Sequence, residues 1–194
     1  MKRIILGSQS PRRKEIMSHF SLPFEQASPP FIEEAIPFTG DPIEYVTTLS
    51  RGKAESLHHT YPTAILLTAD TVVYLEGKVY NKPQDFAEAV RFLSEFSEKW
   101  QHIYTGVTVR QGNNVYSAIE ETRVLFNRLS LEQIHCFLNA VSWKDKAGGF
   151  TIQGPGNLLI SKIEGCYNNV TGLPVNTVRK LLLNVGIDLW HFIK

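Results

Sequence analysis

Residues 64–75 read AILLTADTVVYL and form the most strand-like stretch of this 194-residue chain. Apolar and β-branched residues on both sides of a central Asp70 favour an extended strand. The Glu76-Gly77 pair that follows predicts a turn, and Val79–Tyr80 predicts a short strand that pairs back as a hairpin. This segment therefore predicts the strand that organises the fold.

Short β-rich runs alternate with amphipathic helical segments on both sides of this strand, which predicts an α/β fold. Ser10-Pro11 and Asp41-Pro42 are typical of helix starts, and the turn sequence at 111–114 predicts a long hairpin. The predicted strands are Ile4–Leu6, Phe24–Gln26, Ala64–Leu75, Val79–Tyr80, Ile103–Arg110, Val115–Phe126 and Leu158–Ile163. The predicted helices are Pro11–Phe20, Pro42–His58, Pro83–Phe96, Ser130–Asn139 and Pro174–Val185.

The size and charge of the chain limit its partners. A length of 194 residues suits a single domain, residues 1–194, in one body or in two closely packed lobes. Lysine and arginine total 20 against 19 aspartates and glutamates, so the formal net charge is +1. No overall charge drives binding to nucleic acid, and an anionic partner must be held by a local cluster of cations.

The sequence also disfavours the membrane and secreted classes. No apolar run approaches the roughly 18 residues of a membrane-spanning helix. The apolar stretch Ile4–Leu6 is much shorter than the roughly 7–15 residues of a secretion signal. Cys136 and Cys166 lie far apart without a CxxC pattern, as expected of reduced thiols in a cytoplasmic protein. Cys136 falls on a predicted helix and is expected in the core.

The first candidate site is the strand–turn–helix junction SQSPRR at residues 8–13. Backbone N–H groups and the dipole at a helix start attract anions. The hydroxyls of Ser8 and Ser10 and the guanidinium groups of Arg12 and Arg13 add donors suited to phosphate oxygens. The GxxxxGK[ST] spacing of a P-loop is absent, and a capped helix with solvated arginines is the alternative interpretation.

The second candidate is Asp70. An unpaired charge in apolar sequence is costly, and Asp is disfavoured in the middle of a strand. Such a residue usually ends a strand, pairs with a cation, binds a metal or acts as a base. Glu33 and Glu34 can complete a cation site with Asp70, because Mg²⁺ takes one or two carboxylates plus substrate phosphates. A turn aspartate at a strand end is the alternative.

Three lysines lie beside unusual backbone. Lys53 follows a glycine inside a predicted helix, Lys82 precedes a proline, and Lys146 lies just before a pair of glycines. Each can bind phosphate, although an ordinary surface lysine is the default interpretation. The loop GGFTIQGPG at residues 148–156 lets the backbone pass close to a ligand, and Gln153 within it can contact the edge of a base. A structural turn explains the loop equally well.

Together these segments are similar to the Maf family of nucleoside triphosphate pyrophosphatases, in family order and spacing over nearly the whole chain. The resemblance implies a Maf/Ham1-like α/β fold, with a mixed twisted sheet, flanking helices and two lobes around a central cleft, often as a homodimer. It also implies cleavage of a nucleoside triphosphate substrate to monophosphate and pyrophosphate with a divalent metal cation, Mg²⁺ or Mn²⁺. The matching segments are Ser8–Arg13, Arg51–Ala54, Ala69–Val73, Asn81–Pro83, Tyr104–Val107, Asp145–Gly154 and Asn169–Pro174.

The resemblance further assigns roles to individual residues. The residue that matches Asp70 is the proton acceptor, and with Glu33 it is expected to hold the metal. Residues that match the following positions surround the phosphates and the metal: Ser8, Arg13, Glu33, Lys53, Lys82 and Lys146. Gly52 departs from the common pattern, where Glu is usual, and a glycine inside a helix costs about 1 kcal/mol relative to Ala. Either a close backbone approach or a tolerated flaw explains it.

Three positions indicate the substrate. Arg12, Thr71 and Gln153 match the subgroup that acts on dTTP and UTP, whereas the 7-methyl-GTP subgroup typically has Trp, Gln and Glu there. Thymine and uracil offer an N3–H donor beside carbonyl acceptors, which a Gln amide can match in one plane, while two adjacent guanine donors suit Glu. The alternatives are an enzyme for 7-methyl-GTP or modified nucleotides, and a nucleotide-binding regulator of septum formation.

Overall fold

The protein is described from a computed structural model that covers residues 2–194. In this part of the chain seven strands form one sheet, with six α-helices around it. The strands are β1 (Ile4–Gly7), β2 (Glu25–Ala27), β3 (Ile65–Leu75), β4 (Lys78–Tyr80), β5 (Trp100–Gln111), β6 (Asn114–Phe126) and β7 (Ile160–Glu164). The helices are α1 (Pro11–Ser18), α2 (Pro42–His58), α3 (Phe86–Phe96), α4 (Leu131–Ala140), α5 (Tyr167–Val170) and α6 (Val175–Leu183).

The sheet is mixed, with the strand order β2-β1-β3-β5-β6-β7 and with β4 paired to β3. Strands β2, β1 and β3 are parallel neighbours, whereas β3, β5, β6 and β7 pair antiparallel. Parallel pairing needs crossover connections, and α1 and α2 lie in the two crossovers. Every residue of β1 is buried, as expected of a parallel strand covered on both faces. The predicted α/β fold with a mixed sheet and flanking helices is confirmed.

Side-chain caps determine where three helices begin. Asp41 accepts hydrogen bonds from backbone N–H groups at the start of α2, and Asp85 does the same for α3. Ser130 and Gln133 form the predicted capping box of α4. Because Asp85 is the cap, α3 begins after it and not at Pro83 as predicted. No helix within residues 2–194 combines the length and apolar character needed to cross a membrane.

Several local predictions were wrong. Helix α1 ends before Phe20, which instead forms an isolated antiparallel bridge with Ile193. Ser10 occupies the N-cap position of α1, but its side chain makes no capping hydrogen bond. Gly154–Leu159 forms a 3-10 helix ahead of β7, where a loop and a strand start were predicted. Cys136 is exposed on α4. Tertiary packing outweighs the local pattern at these element ends and on this helix face.

Two large hydrophobic cores lie at opposite ends of β3. The first contains Ile65, Leu67 and Ala69 of β3 and is covered by α1 and α6. The second contains Val73 and Leu75 of β3 and is covered by α3 and α4. Strand β5 runs antiparallel beside β3 and contributes to both cores. Side chains alternate between the two faces of a strand, so Thr71 lies on this face between the two cores. Asp70 lies on the opposite face of β3, where Val72 packs in a smaller cluster with Tyr45 and Leu49 of α2.

Strand β5 approaches helix α2 very closely at Gly106, which pairs with Asp70 of β3. A Cβ atom at Gly106 would lie 2.3 Å from the carbonyl oxygen of Val46 in α2. This is well inside van der Waals contact, so α2 can lie this close to the sheet only because residue 106 has no side chain. The glycine thus brings α2 next to the middle of β3.

We expect Gly106→Ala to lower the free energy of unfolding by about 3 kcal/mol, because the clash is with helix backbone that cannot move aside. Urea denaturation followed by circular dichroism measures the change. Gly77→Ala is the control: Gly77 has a positive φ of 86° and open space around it, so only backbone strain of about 1 kcal/mol is expected. Equal losses in the two variants would contradict the close-approach argument.

Candidate active site

A cleft of about 700 Å³ lies beside the middle of β3, a size typical of ligand sites. Its walls come from the β1–α1 junction, from α2, from β3 and from the loops around residues 33, 82, 146 and 171. Of the residues predicted from the sequence, the following line the cleft: Ser8, Ser10, Arg12, Arg13, Glu33, Lys53, Asp70, Thr71, Lys82 and Lys146. The fold therefore gathers positions that are scattered along more than half of the chain.

The turn between β1 and α1 is held by side chains. Ser8 is buried, and its Oγ accepts hydrogen bonds from the backbone N–H of Ser10 at 3.2 Å and from Nη1 of Arg13 at 3.3 Å. The side-chain amide of Gln26 donates to the Ser8 carbonyl oxygen at 2.7 Å. These contacts fix the turn, and the Ser10 hydroxyl, which does not cap the helix, lies in the cleft wall.

Arg13 connects three parts of the fold. Its Nε donates to the carbonyl oxygen of Gly172 at 2.7 Å, Nη1 to that of Ala69 at 2.8 Å, and Nη2 to Oγ1 of Thr71 at 3.0 Å. Together with the bond to Ser8, these contacts use most of the five guanidinium N–H donors. Burial lowers the pKa of Arg13, and the charge of Asp70 opposes this. Arg13 is thus a structural clamp as well as a fixed cation beside the cleft.

Lys53 of α2 lies between two carboxylates. Its Nζ is 2.8 Å from Oε1 of Glu33 and also hydrogen-bonds Oδ1 of Asp70. The side chains of Lys53 and Asp70 are 8% and 9% exposed, whereas that of Glu33 is 42% exposed. Asp70 lies within β3 and pairs with Lys53 of α2. The alternative, that Asp70 is a turn residue at a strand end, is therefore wrong.

The two carboxylates differ in pKa because they differ in burial. Burial raises the pKa of Asp70 above its ordinary value, and the nearby charges of Lys53 and Arg13 offset only part of this. Burial also acts to raise the pKa of Glu33, but the charge and hydrogen bond of Lys53, helped by Lys82 and Arg13, outweigh it, and the net shift is downward. Asp70 is therefore the more basic carboxylate.

Gly52 provides the close approach that its place inside α2 suggests. A Cβ atom there would lie 2.3 Å from Cε2 of Phe31, so the aromatic ring packs directly on the helix backbone. Phe31 comes shortly before the 3-10 turn Glu33–Ala35, and Lys53 follows Gly52. The contact therefore brings Glu33 to Lys53, and the missing side chain at position 52 is part of how this chain seats Glu33.

Three more cations lie along the cleft. Nη1 of Arg12 is 3.2 Å from Oδ2 of Asp145, and Nζ of Lys146 is 2.7 Å from Oδ1 of the same carboxylate. Lys82 is exposed on the segment after β4 and lines the cleft. Arg12 belongs to α1, whereas Lys146 belongs to the glycine loop, so one carboxylate joins the two walls.

The residues predicted to select the base do not all reach the cleft. The hydroxyl of Thr71 lines it and also bonds Arg13 and Oγ1 of Thr105, the latter at 2.8 Å. The backbone N–H of Gln153 donates to Oγ1 of Thr151 at 3.1 Å. Thr151 lines the cleft, but Gln153, half-buried two positions further on, is not among the described lining residues.

The carboxylates of Glu33 and Asp70 are suited to bind a hard divalent cation. Oε1 of Glu33 and Oδ1 of Asp70 contact the same ammonium group, so both can reach one position, and carboxylate oxygens are preferred ligands of Mg²⁺. Within residues 2–194 there is no group of three or more His, Cys, Asp or Glu side chains that could by itself hold a metal ion. A cation here needs further ligands, which substrate phosphates and water can supply.

Sequence reasoning missed the parts played by Phe31 and Asp145. Asp145 opens the glycine-loop segment next to Lys146, and Phe31 follows a pair of prolines. Neither sequence pattern indicates which residue is contacted. In the structure Phe31 packs on Gly52 of α2, and Asp145 binds Arg12 of α1. A pattern along the chain contains no information on such distant contacts.

The fold and the cleft together define a class: an α/β protein in which fixed cations and a buried carboxylate line a site suited to a phosphorylated ligand. The chain belongs to the Maf family, since residues 3–185 match the family described as Maf-like protein. The resemblance inferred from the sequence motifs is therefore confirmed.

Relatives match along almost the whole chain. A dTTP/UTP pyrophosphatase of Chlamydia felis is 43% identical over 98% of both chains, and one of Chlamydia caviae is 42% identical over 98% of both. A dTTP/UTP pyrophosphatase of Acholeplasma laidlawii is 36% identical over 95% of this chain and 97% of its own. A solved nucleoside-triphosphatase, described as a dITP/XTP pyrophosphatase, from Mycobacterium abscessus matches over 94% of each chain at 11% identity with a TM-score of 0.45.

Proposed function

We propose that this protein is a nucleoside triphosphate pyrophosphatase that hydrolyses dTTP and UTP to the monophosphate and pyrophosphate. The observation that carries the proposal is the position of Asp70, buried in the middle of β3 yet lining a cleft that fixed cations also line. The names of the relatives from Chlamydia felis and Chlamydia caviae support it, because the match extends over nearly the whole chain.

Asp70 acts as the base. It takes a proton from a water molecule that attacks the α-phosphorus in line. A bond forms between the water oxygen and the α-phosphorus, and the bond from that phosphorus to the α–β bridging oxygen breaks. The electron pair of the broken bond leaves with pyrophosphate. Such phosphoryl chemistry depends mainly on positioning and on charge stabilisation, for which the cleft offers buried and fixed charges.

The cations bind the triphosphate. Lys53, Lys82 and Lys146 and the guanidinium of Arg13 balance its negative charge, and the hydroxyls of Ser8 and Ser10 donate to phosphate oxygens. Glu33 and Asp70 would hold Mg²⁺ or Mn²⁺, which when bound neutralises charge on the triphosphate and on the departing pyrophosphate. Because Lys53 contacts both carboxylates, it also keeps them close together.

The nucleobase is recognised by Arg12, Thr71 and Gln153. Arg12 and Thr71 line the cleft, and Gln153 lies two positions after Thr151, which also lines it. The amide of Gln153 can accept from N3–H of thymine or uracil and donate to a neighbouring carbonyl group. A site built for this pattern leaves the two adjacent donors of guanine without partners.

A nucleotide panel tests the proposal. We expect dTTP and UTP, incubated with the purified protein and Mg²⁺ or Mn²⁺, to yield monophosphate and pyrophosphate by chromatography. EDTA should abolish turnover, and added Mg²⁺ or Mn²⁺ should restore it, because Glu33 and Asp70 supply only part of the ligands of a cation whose coordination the substrate phosphates complete. Formation of diphosphate and orthophosphate would contradict the mechanism, and a preference for 7-methyl-GTP would contradict the assigned substrate.

We expect Gln153→Glu to lower kcat/KM for dTTP and UTP relative to 7-methyl-GTP by at least about tenfold, because a carboxylate cannot donate to a pyrimidine carbonyl. Competition between 7-methyl-GTP and either dTTP or UTP in one reaction measures the ratio of the kcat/KM values. Gln111→Glu, at the end of β5 and away from the cleft lining, is the control and should leave the ratio unchanged. An unaltered preference in the Gln153 variant would remove this residue from base recognition.

A further inference from the structure

Asp145 is the centre of an ion-pair cluster that connects the two walls of the cleft. Its Oδ2 accepts from Arg12 at 3.2 Å, and its Oδ1 accepts from Lys146 at 2.7 Å and from the hydroxyl of Ser142 at 3.3 Å. The backbone carbonyl of Asp145 accepts a further bond from Nη2 of Arg12 at 3.4 Å. The carboxylate is 45% exposed, whereas Arg12 and Lys146 are only 21% and 13% exposed.

The two cations held in this way are long side chains that would otherwise sample many rotamers. Ordering such a side chain when a ligand arrives weakens binding, and a side chain ordered in advance avoids that loss. Lys146 is anchored twice, since Nζ also donates to the Ser142 carbonyl oxygen. Burial acts to raise the pKa of Asp145, but the bonds and charges of Lys146 and Arg12 outweigh it and keep the pKa below its ordinary value. Asp145 is therefore ionised at neutral pH.

We infer that Asp145 is a positioning residue, which holds Arg12 and Lys146 in the orientation in which they receive the nucleotide. The inference rests on the proposed function, because it takes a nucleoside triphosphate as the ligand of the cleft. Asp145 joins the first turn of α1 to the loop that precedes the 3-10 turn Ala147–Gly149. Asp145 therefore fixes the positions of two cations that line the cleft, but it takes no part in the chemistry at Asp70.

Net charge and positioning predict opposite effects of removing the Asp145 carboxylate on nucleotide binding. In the described structure the cleft is lined by five cations, Arg12, Arg13, Lys53, Lys82 and Lys146, and by four carboxylates, Glu33, Glu34, Asp70 and Asp145, a formal net charge of +1. Asp145→Asn makes that charge more positive, which by itself strengthens binding of a polyanion. Positioning predicts weaker binding, because two cations lose their common anchor. The direction of the change therefore separates the two explanations.

The test is calorimetric titration of the wild-type protein and of Asp145→Asn with the non-hydrolysable α,β-imido analogue of dTTP and Mg²⁺. We expect the Kd to rise about tenfold, the KM for dTTP to rise in parallel, and kcat to change less than about threefold. Glu164→Gln is a matched control, because Glu164 also binds one arginine and one lysine, Arg123 at 3.1 Å and Lys162 at 2.7 Å, on β6 and β7. It should leave Kd and KM unchanged.

A double-mutant cycle with Arg12→Ala completes the test. If Asp145 acts through Arg12, the fold-change in Kd of the double variant is smaller than the product of the two single changes; a full product would overturn the inference. Equal or tighter binding by Asp145→Asn would overturn it too and leave the proposed function standing. Failure of the wild-type protein to bind the analogue would instead count against the proposed function.

Discussion

Replacing Asp70 by Asn is expected to lower the turnover of dTTP by about 10²–10⁴-fold, because an amide cannot take the proton of the attacking water. The side chain keeps its size, so the packing between β3 and α2 should survive. Lys53 keeps Glu33 as a partner at 2.8 Å, which limits the structural damage. Steady-state kinetics with pyrophosphate release as the readout measures the loss.

The loss should be larger in kcat than in substrate binding. Asp70 would also hold the metal with Glu33, so we expect the Kd of the Asp70→Asn variant for the α,β-imido analogue of dTTP to rise, but by a much smaller factor than kcat falls. Asp188→Asn is the control, since Asp188 pairs with Arg179 at 3.0 Å and does not line the cleft. Turnover near the wild-type rate in the Asp70 variant would exclude Asp70 as the base.

Replacing Lys53 by Met is expected to lower the free energy of unfolding by about 3–5 kcal/mol, the usual loss when one partner of a buried ion pair is removed. Asp70 and Glu33 would lose the ammonium that both contact. Turnover should also fall at least about tenfold, because the triphosphate loses a fixed cation and Asp70 loses the group that orients it. Urea denaturation and steady-state kinetics measure the two effects.

Lys99→Met is the matched control for this variant. Lys99 pairs with Glu76 at 3.0 Å, but the two side chains are 44% and 66% exposed, and exposed pairs contribute at most about 1 kcal/mol. The difference between the variants should therefore come from burial. A Lys53 variant as stable as the Lys99 variant would show that the pair of Lys53 with Asp70 is solvated and not buried.

Several residues of the site are recognisable from the sequence because their residue type is unusual for the predicted strand or helix in which they lie. Asp70 was identified because a carboxylate in a buried strand needs a partner, and the structure supplies one in Lys53. For Gly52 the sequence leaves a close approach and a tolerated flaw open, and the ring of Phe31 packed on the helix backbone shows that it is a close approach. For Gln153 the chemistry of the amide group predicts recognition of the nucleobase, but in the structure the residue is not part of the cleft lining.

The amino-acid sequence by itself determined the order of the strands and of the five longer helices and the buried strand around Asp70, because these follow from local periodicity and residue types. It also determined the family, because the family's motifs occur in order along the chain. Only the tertiary structure decided which charges meet. Lys53 reaches Asp70, 17 positions later, because Gly106 lets α2 lie against the sheet, and Arg12 meets Asp145, 133 positions away, across the cleft. Such contacts depend on how helices pack on a sheet, which no local pattern encodes.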